Sequence, residues 1–161
     1  ATFSGTASSA SKSKEILKAG ARYAINTAKK DVVKEVAKIT KGAGVDTIFD
    51  PVGKDTYEVS LGCLKDRGLL ASFGGASGPV PLVDLNEFRY MARAWNLTRA
   101  SLFNWTANRD DLLLSSKLVF AMIRSNKVKV KINQRYPPKD APKLHKDIES
   151  RKLTGISMLT P

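Results

Sequence analysis

Five short stretches each stand at the end of an expected strand: Ala7-Ser8-Ser9, Asn26-Thr27, Asp50-Pro51-Val52-Gly53, Phe73-Gly74-Gly75 and Thr98-Arg99. Glycine and small hydroxyl residues recur in them, and such residues let a backbone come close to a ligand. Turns between strand and helix also need glycine for steric reasons alone, so each stretch taken singly reads first as a turn. Groups able to act as nucleophile or acid–base catalyst are scarce. Cys63 lies beside Leu61 and Leu64 and reads as a buried apolar cysteine rather than a nucleophile. His145, on a polar stretch, reads as structural or exposed. No Ser-His-Asp set or paired carboxylates stand out, so no catalytic side chain is assigned. One cysteine excludes an internal disulfide and a Cys-rich zinc site, and one histidine excludes a His cluster. A GxGxxG triplet and a P-loop are both missing.

The elements that must hold these stretches alternate. Residues 1–7 are expected as a strand, 10–19 as a helix ended by Gly20, and 22–26 as a short strand. Asp31 should cap a helix running to Thr40, whose apolar face is Val32, Val33, Val36, Ala37 and Ile39. Val45 to Asp50 reads as a buried strand, 54–64 as a helix closed by Asp66-Arg67-Gly68, and Leu69 to Phe73 as the next strand. Further on, a helix is expected over 84–93, a strand over 95–99, and a long helix from Asn108 or Asp110 to Ser125. The alternation of Lys with Val or Ile over 127–132 predicts a half-buried strand. A helix over 140–150 and a strand over 155–159 complete the chain. Helices alternating with short apolar strands imply βαβ units and a parallel sheet with helices on both faces.

In such sheets ligands bind beyond the carboxyl ends of the strands, which is where the five stretches fall. The end of the first strand carries the most information. A site that prefers NAD places Asp or Glu there to bind the ribose hydroxyls. Here the chain reads Ala7-Ser8-Ser9-Ala10-Ser11-Lys12, with no carboxylate to repel a 2′-phosphate and a lysine placed to attract one. In a Rossmann-type fold this favours NADPH over NADH. The same Lys12 also reads as an ordinary first-turn lysine.

Longer stretches carry a family resemblance. Leu17-Lys18-Ala19-Gly20-Ala21, Phe49-Asp50-Pro51-Val52-Gly53-Lys54-Asp55-Thr56, Ser72-Phe73-Gly74-Gly75-Ala76-Ser77-Gly78-Pro79-Val80, Leu97-Thr98-Arg99 and the ending Gln134-Arg135-Tyr136-Pro137 with Thr154-Gly155 resemble the zinc-free quinone oxidoreductases. These are the zeta-crystallin-like branch of the medium-chain dehydrogenase/reductases, and the similarity runs over essentially the whole chain.

The resemblance implies an α/β, Rossmann-type parallel sheet and hydride transfer from NADPH to a quinone or similar electron-poor acceptor, without zinc. By position, Ser8, Lys12 and Arg151 would hold the adenosine ribose and its 2′-phosphate. Thr27 would stand near the adenine, where relatives often carry Tyr or His. Val52 and Gly53 would line the cofactor, while Phe73, Gly74, Gly75, Leu97, Thr98 and Arg99 would approach the nicotinamide side. Ala100 replaces a proline common in relatives. The resemblance divides the chain into a nucleotide-binding domain over 1–130 and a return segment of the catalytic domain over 131–161. In the family a catalytic domain, the first Rossmann strand and its glycine-rich turn precede the position of Ala1. That strand would sit between the strands at 1–7 and 45–50. The chain is therefore expected to be the C-terminal half of such an enzyme and inactive alone. The strand over 94–99 is expected to pair with its copy in a homodimer.

Net charge is the loudest bulk property: 27 Lys and Arg against 15 Asp and Glu give +12. It keeps an RNA-binding module open as a rival reading, and relatives of this family can bind AU-rich RNA. The cations are dispersed, without a block of like charge, an RGG repeat or an RNP-like aromatic pattern. No apolar run approaches the length of a membrane span. The Ser-rich, acid-free opening superficially resembles a transit peptide but lacks arginine, and Ala1 to Thr6 reads equally as a strand entering a turn. A reducing, cytoplasmic compartment fits the cysteine usage best.

Overall fold

The computed structural model describes residues 1–83, 86, 93–150 and 153–161. Most of the helix expected over 84–93, and Arg151, lie outside the described residues. The chain divides into two compact units, Ala1–Asn104 and Trp105–Pro161.

The first unit alternates strand and helix as far as its fourth strand: β1 (Ser4–Ala7), α1 (Ala10–Lys18), β2 (Tyr23–Asn26), α2 (Val32–Thr40), β3 (Val45–Asp50), α3 (Tyr57–Cys63), β4 (Leu64–Ser72) and β5 (Asn96–Arg99). Every pairing is parallel, in two separate sheets: β1 beside β2, and β3-β4-β5 in that order. No strand pairing joins the two sheets among the described residues, and the resemblance puts a further strand between β1 and β3. Local chemistry sets the helices. Ser9 caps α1 by accepting from the Lys12 amide at 3.3 Å, and Asp31 caps α2 by accepting from the Lys34 amide at 3.0 Å. At the far end of α2, Lys41 takes a left-handed conformation (φ 53°), and the Gly42 amide closes onto the Ala37 carbonyl at 2.7 Å.

Two apolar clusters support this unit. Ile25, Val36 and Cys63 form one, between β2, α2 and α3. Tyr57, Leu61, Leu64 and Leu70 form the other, and Val45 and Ile48 of β3 pack against both. One sequence expectation needs correction here. Helix α3 ends at Cys63 and β4 begins at Leu64, so Asp66-Arg67-Gly68 lies inside the strand rather than closing the helix. Leu64 is completely buried and pairs with Val45, and the register then slips before Thr47 meets Leu69. Burial of Leu64 draws it into the sheet, and the polar residues behind it, with Arg67 at φ 60°, form the irregular piece.

The short helix α4 (Leu102–Trp105), which the sequence reading lacks, lies at the junction of the units. In the second unit α5 (Arg109–Arg124) is capped by Asn108 through the Asp111 amide at 2.8 Å. Next, β6 (Ile132–Tyr136), a 3-10 turn (Pro138–Asp140), α6 (Ala141–Glu149) and β7 (Ile156–Leu159) make one βαβ unit with a parallel β6–β7 pair. The Tyr136 hydroxyl donates to Asp147 at 2.9 Å and ties β6 to α6, whose Leu144 is buried. The strand expected over 127–132 is displaced to 132–136. The amides of Lys127 and Val128 donate back to the Met122 carbonyl and close α5, and pairing starts only where β7 offers a partner.

Candidate functional site at the carboxyl ends of the strands

The sequence-predicted residues of the first unit fall into two groups at strand ends. At the first, Ala7 and Asn26 are register partners at the ends of β1 and β2. Thr27 is drawn onto β1: its amide and its hydroxyl donate to the Ala7 carbonyl at 2.9 and 3.3 Å. Ser8 is exposed beside it, and Lys12 lies in the first turn of α1, which carries no acidic residue. The structure therefore brings Ser8, Thr27 and the α1 N-terminus with Lys12 to one end of this sheet.

The second group is built on two interlocked loops. Asp50, at the end of β3, is buried, with 4% of its surface exposed. Its carboxylate accepts from the amides of Val52 (2.7 Å) and Gly53 (3.1 Å), from the Thr56 hydroxyl (2.9 and 2.8 Å to its two oxygens) and from the Ser60 hydroxyl (3.3 Å). Its backbone carbonyl accepts from Phe73 at 3.0 Å and Gly74 at 3.4 Å. The loop after β4 then returns the contact. The Ser77 amide and hydroxyl donate to the Val52 carbonyl, both at 2.9 Å, and the Lys54 amide donates to the Gly78 carbonyl at 3.2 Å. Two glycines make this closeness possible. A Cβ on Gly74 would lie 2.0 Å from the Pro51 carbonyl oxygen. Gly53 sits at φ 91°, where a Cβ would meet the Gly78 oxygen at 2.6 Å. The glycines that the sequence marks as turn residues are required by loop-to-loop contact, which leaves the Phe73 ring half exposed and Gly75 on the surface.

Asp50, Ser72 and Arg99 are register partners across β3, β4 and β5, so they form one polar row at the strand ends. The Arg99 guanidinium donates to the Ser72 carbonyl at 3.1 Å, and the amide of Ala100 donates to the same oxygen. The buried Ser72 hydroxyl has no partner among the described residues. Thr98 and Leu97 lie one and two positions back, within β5, and are exposed. The sequence reading passed over Asp50 as a site residue. Its signal was present: a carboxylate buried at a strand end must be satisfied locally, and Gly53, Thr56 and Ser60 follow at spacings that return donors to it.

The remaining candidates stand elsewhere. Cys63 is buried, and burial with the nearby Asp31 charge pushes its thiol up to about 11, so it stays protonated near neutrality. His145 is exposed on α6. Several lysines pair with acids along the helix faces, among them Lys18 with Glu15 and Lys30 and Lys38 with Glu35. Hydrogen bonds from Lys30 and Lys38 hold the Glu35 carboxyl below its usual range. No described helix is long and apolar enough to cross a membrane.

Parallel strands joined through helices, with glycine turns at their carboxyl ends, define a Rossmann-type nucleotide domain. Comparison with known proteins narrows the class. Residues 1–113 match the zinc-binding dehydrogenase family, and the chain belongs to that family. It is 43% identical over 159 residues to a quinone oxidoreductase of Salmonella typhimurium and 40% identical over 159 residues to quinone oxidoreductase 1 of Escherichia coli. Each alignment takes in 98% of this chain and 48% of the relative. The crystal structure of the Escherichia coli quinone oxidoreductase complexed with NADPH superimposes with a TM-score of 0.92 at 38% identity, over 99% of this chain and 49% of that one. The chain thus spans about half the length of the relatives it matches, their C-terminal half. The family description includes a zinc ion. Among the described residues no three of His, Cys, Asp or Glu converge to hold one, so these residues do not fit that metal.

Proposed function

We propose that this chain is the nucleotide-binding half of a zinc-independent, NADPH-dependent quinone oxidoreductase. The observation that carries the reading is the end of β1: the first turn of α1, which holds Lys12, contains no acidic residue, and Thr27 closes the corner from β2. Such a corner suits a ribose 2′-phosphate, which a carboxylate would repel. The half-length likeness to a structure complexed with NADPH supports the same cofactor.

On this reading Ser8, Lys12 and Arg151 bind the ribose and its phosphate, and Thr27 borders the adenine. Val52, Gly53, Phe73, Gly74 and Gly75 present backbone along the cofactor, while Leu97, Thr98 and Arg99 flank its nicotinamide end. When bound, NADPH supplies the hydride that reduces a quinone or similar electron-poor acceptor. The protein's part is to orient that ring and keep water from it. Residues 1–130 serve the nucleotide and 131–161 return to the catalytic domain. Strand β5 has one free edge within its sheet among the described residues, and a second copy covering it through residues 94–99 gives a homodimer. We place the enzyme in the cytoplasm.

The test is cofactor choice in a protein that joins this chain to the N-terminal half of a quinone oxidoreductase relative. It should use NADPH at least about tenfold better than NADH, and Lys12→Glu should erase most of that preference by replacing attraction with repulsion at the phosphate. Equal use of both cofactors by the unaltered protein would refute the reading.

A further inference from the structure

We propose that Asp50 is a positioning residue for the nicotinamide end of the site, setting the loops over 51–56 and 73–78 as one rigid edge. The inference rests on the functional reading above for the identity of the ligand. Its physical basis is independent of that reading.

A buried carboxylate needs its acceptor capacity filled, and here four donor groups fill it: the amides of Val52 and Gly53 and the hydroxyls of Thr56 and Ser60. Two of these donors are the backbone of the turn, and two come from the start of α3. The carboxylate therefore fixes the turn to the helix beneath it. The turn in turn fixes the second loop, since Pro51 and Val52 present the carbonyls that accept from Ala76 (3.4 Å) and from Ser77 (2.9 Å). The Asp50 carbonyl accepts from Phe73 and Gly74 at the start of that loop. Both loops are thus held at one residue, and Gly53 and Gly74 leave no slack between them. Asp50 touches no ligand on this arrangement. It acts through Val52, Gly53 and Phe73-Gly74, a rim in which Phe73 is exposed, Val52 and Gly74 are half-buried and Gly53 is buried beneath them.

The experiment uses the full chain at low salt, with NADPH and 2′,5′-ADP as separate probes. 2′,5′-ADP reports the corner at Ser8 and Lys12 alone, whereas NADPH also reports the rim. Asp50→Leu keeps the branched shape and removes both side-chain acceptors while leaving the backbone carbonyl. It should weaken NADPH about tenfold and leave 2′,5′-ADP within about twofold, while speeding amide exchange at Phe73 and Ser77 and sparing β1 and β2. Asp50→Asn should restore most of the NADPH affinity, since its carbonyl still accepts from Val52 and Gly53 and the two hydroxyls can turn to accept from its amide. Equal loss of both probes, or no loss of NADPH in a folded Asp50→Leu chain, would overturn the proposal. If Asp50→Leu does not fold, Thr56→Val decides: it should weaken NADPH severalfold with 2′,5′-ADP unchanged, and unchanged NADPH affinity sinks the idea. Failure of the unaltered chain to bind either probe would count against the functional reading instead. The exchange rates at Phe73 and Ser77 still judge the role of Asp50 in that case.

Discussion

Asp50 and Ser72 are neighbours in the register and both are buried, yet their polar atoms meet opposite fates. Asp50 is surrounded by donors, whereas the Ser72 hydroxyl has no partner among the described residues. A buried hydroxyl left unpaired costs about 1–3 kcal/mol relative to a bonded one. Ser72→Ala should therefore be neutral or stabilising, by up to about 1 kcal/mol, in urea unfolding followed by circular dichroism. A loss above about 1 kcal/mol would show that the hydroxyl is partnered in solution. Neither environment was legible from residue type alone. A strand-ending Asp and a strand-ending Ser look alike in sequence, and only the donors returned by Thr56 and Ser60 separate them. The placement of Ser8 and Lys12 just beyond the end of β1 was readable because its signal is local, within one turn of the chain.

At the scale of elements, legibility followed how locally each element is determined. Helix α2 and strand β3 were foreseen with their ends, since Asp31 caps the one and Val45, Ile48 and Phe49 mark the other, although β3 was expected as a buried strand and is buried only at Asp50. Strand β6 was misplaced by several residues, because the alternation over 127–132 describes a strand without saying where a partner lies. The start of β4 was missed for a similar reason, since the pairing of Leu64 with Val45 is a tertiary event. The cap on α2 matters beyond its helix, because Val36 packs with Ile25 and Cys63. Replacing Asp31 by Ala removes the acceptor of the Lys34 amide and should destabilise the first unit by about 1 kcal/mol. Asp31→Asn, which keeps an acceptor, should lose only a few tenths of that amount. Chemical denaturation of the three proteins side by side checks both, and equal stability of the Ala variant would remove the cap from the account.

For the whole molecule the decisive features are the parted sheets and what hydride transfer demands. Strand β1 is paired only to β2 and β3 only to β4 among the described residues, so each has one edge without a strand partner. Phe3 and Phe49, near those edges, are each about two-thirds exposed, and Leu113, Leu114 and Phe120 of α5 are more than half exposed. Unpaired edges and exposed apolar surface favour association with another chain. Hydride transfer needs donor and acceptor in near contact within a dry cleft, which takes a wall on each side of the nicotinamide. On the functional reading this chain offers the adenosine-phosphate corner and one rim, about half of the relatives' length. The 161-residue chain alone should therefore bind NADPH weakly, through charge at Lys12 and its neighbours together with the rim, and lose most of that affinity as salt is added. It should also leave NADPH oxidation by a simple quinone at the uncatalysed rate, and sedimentation should show association that grows with concentration. Adding the N-terminal half of a relative as a separate polypeptide should reduce that association by covering the open edges. Turnover by the chain alone at a rate comparable to an intact relative would place the active site within these residues and overturn the two-walled account.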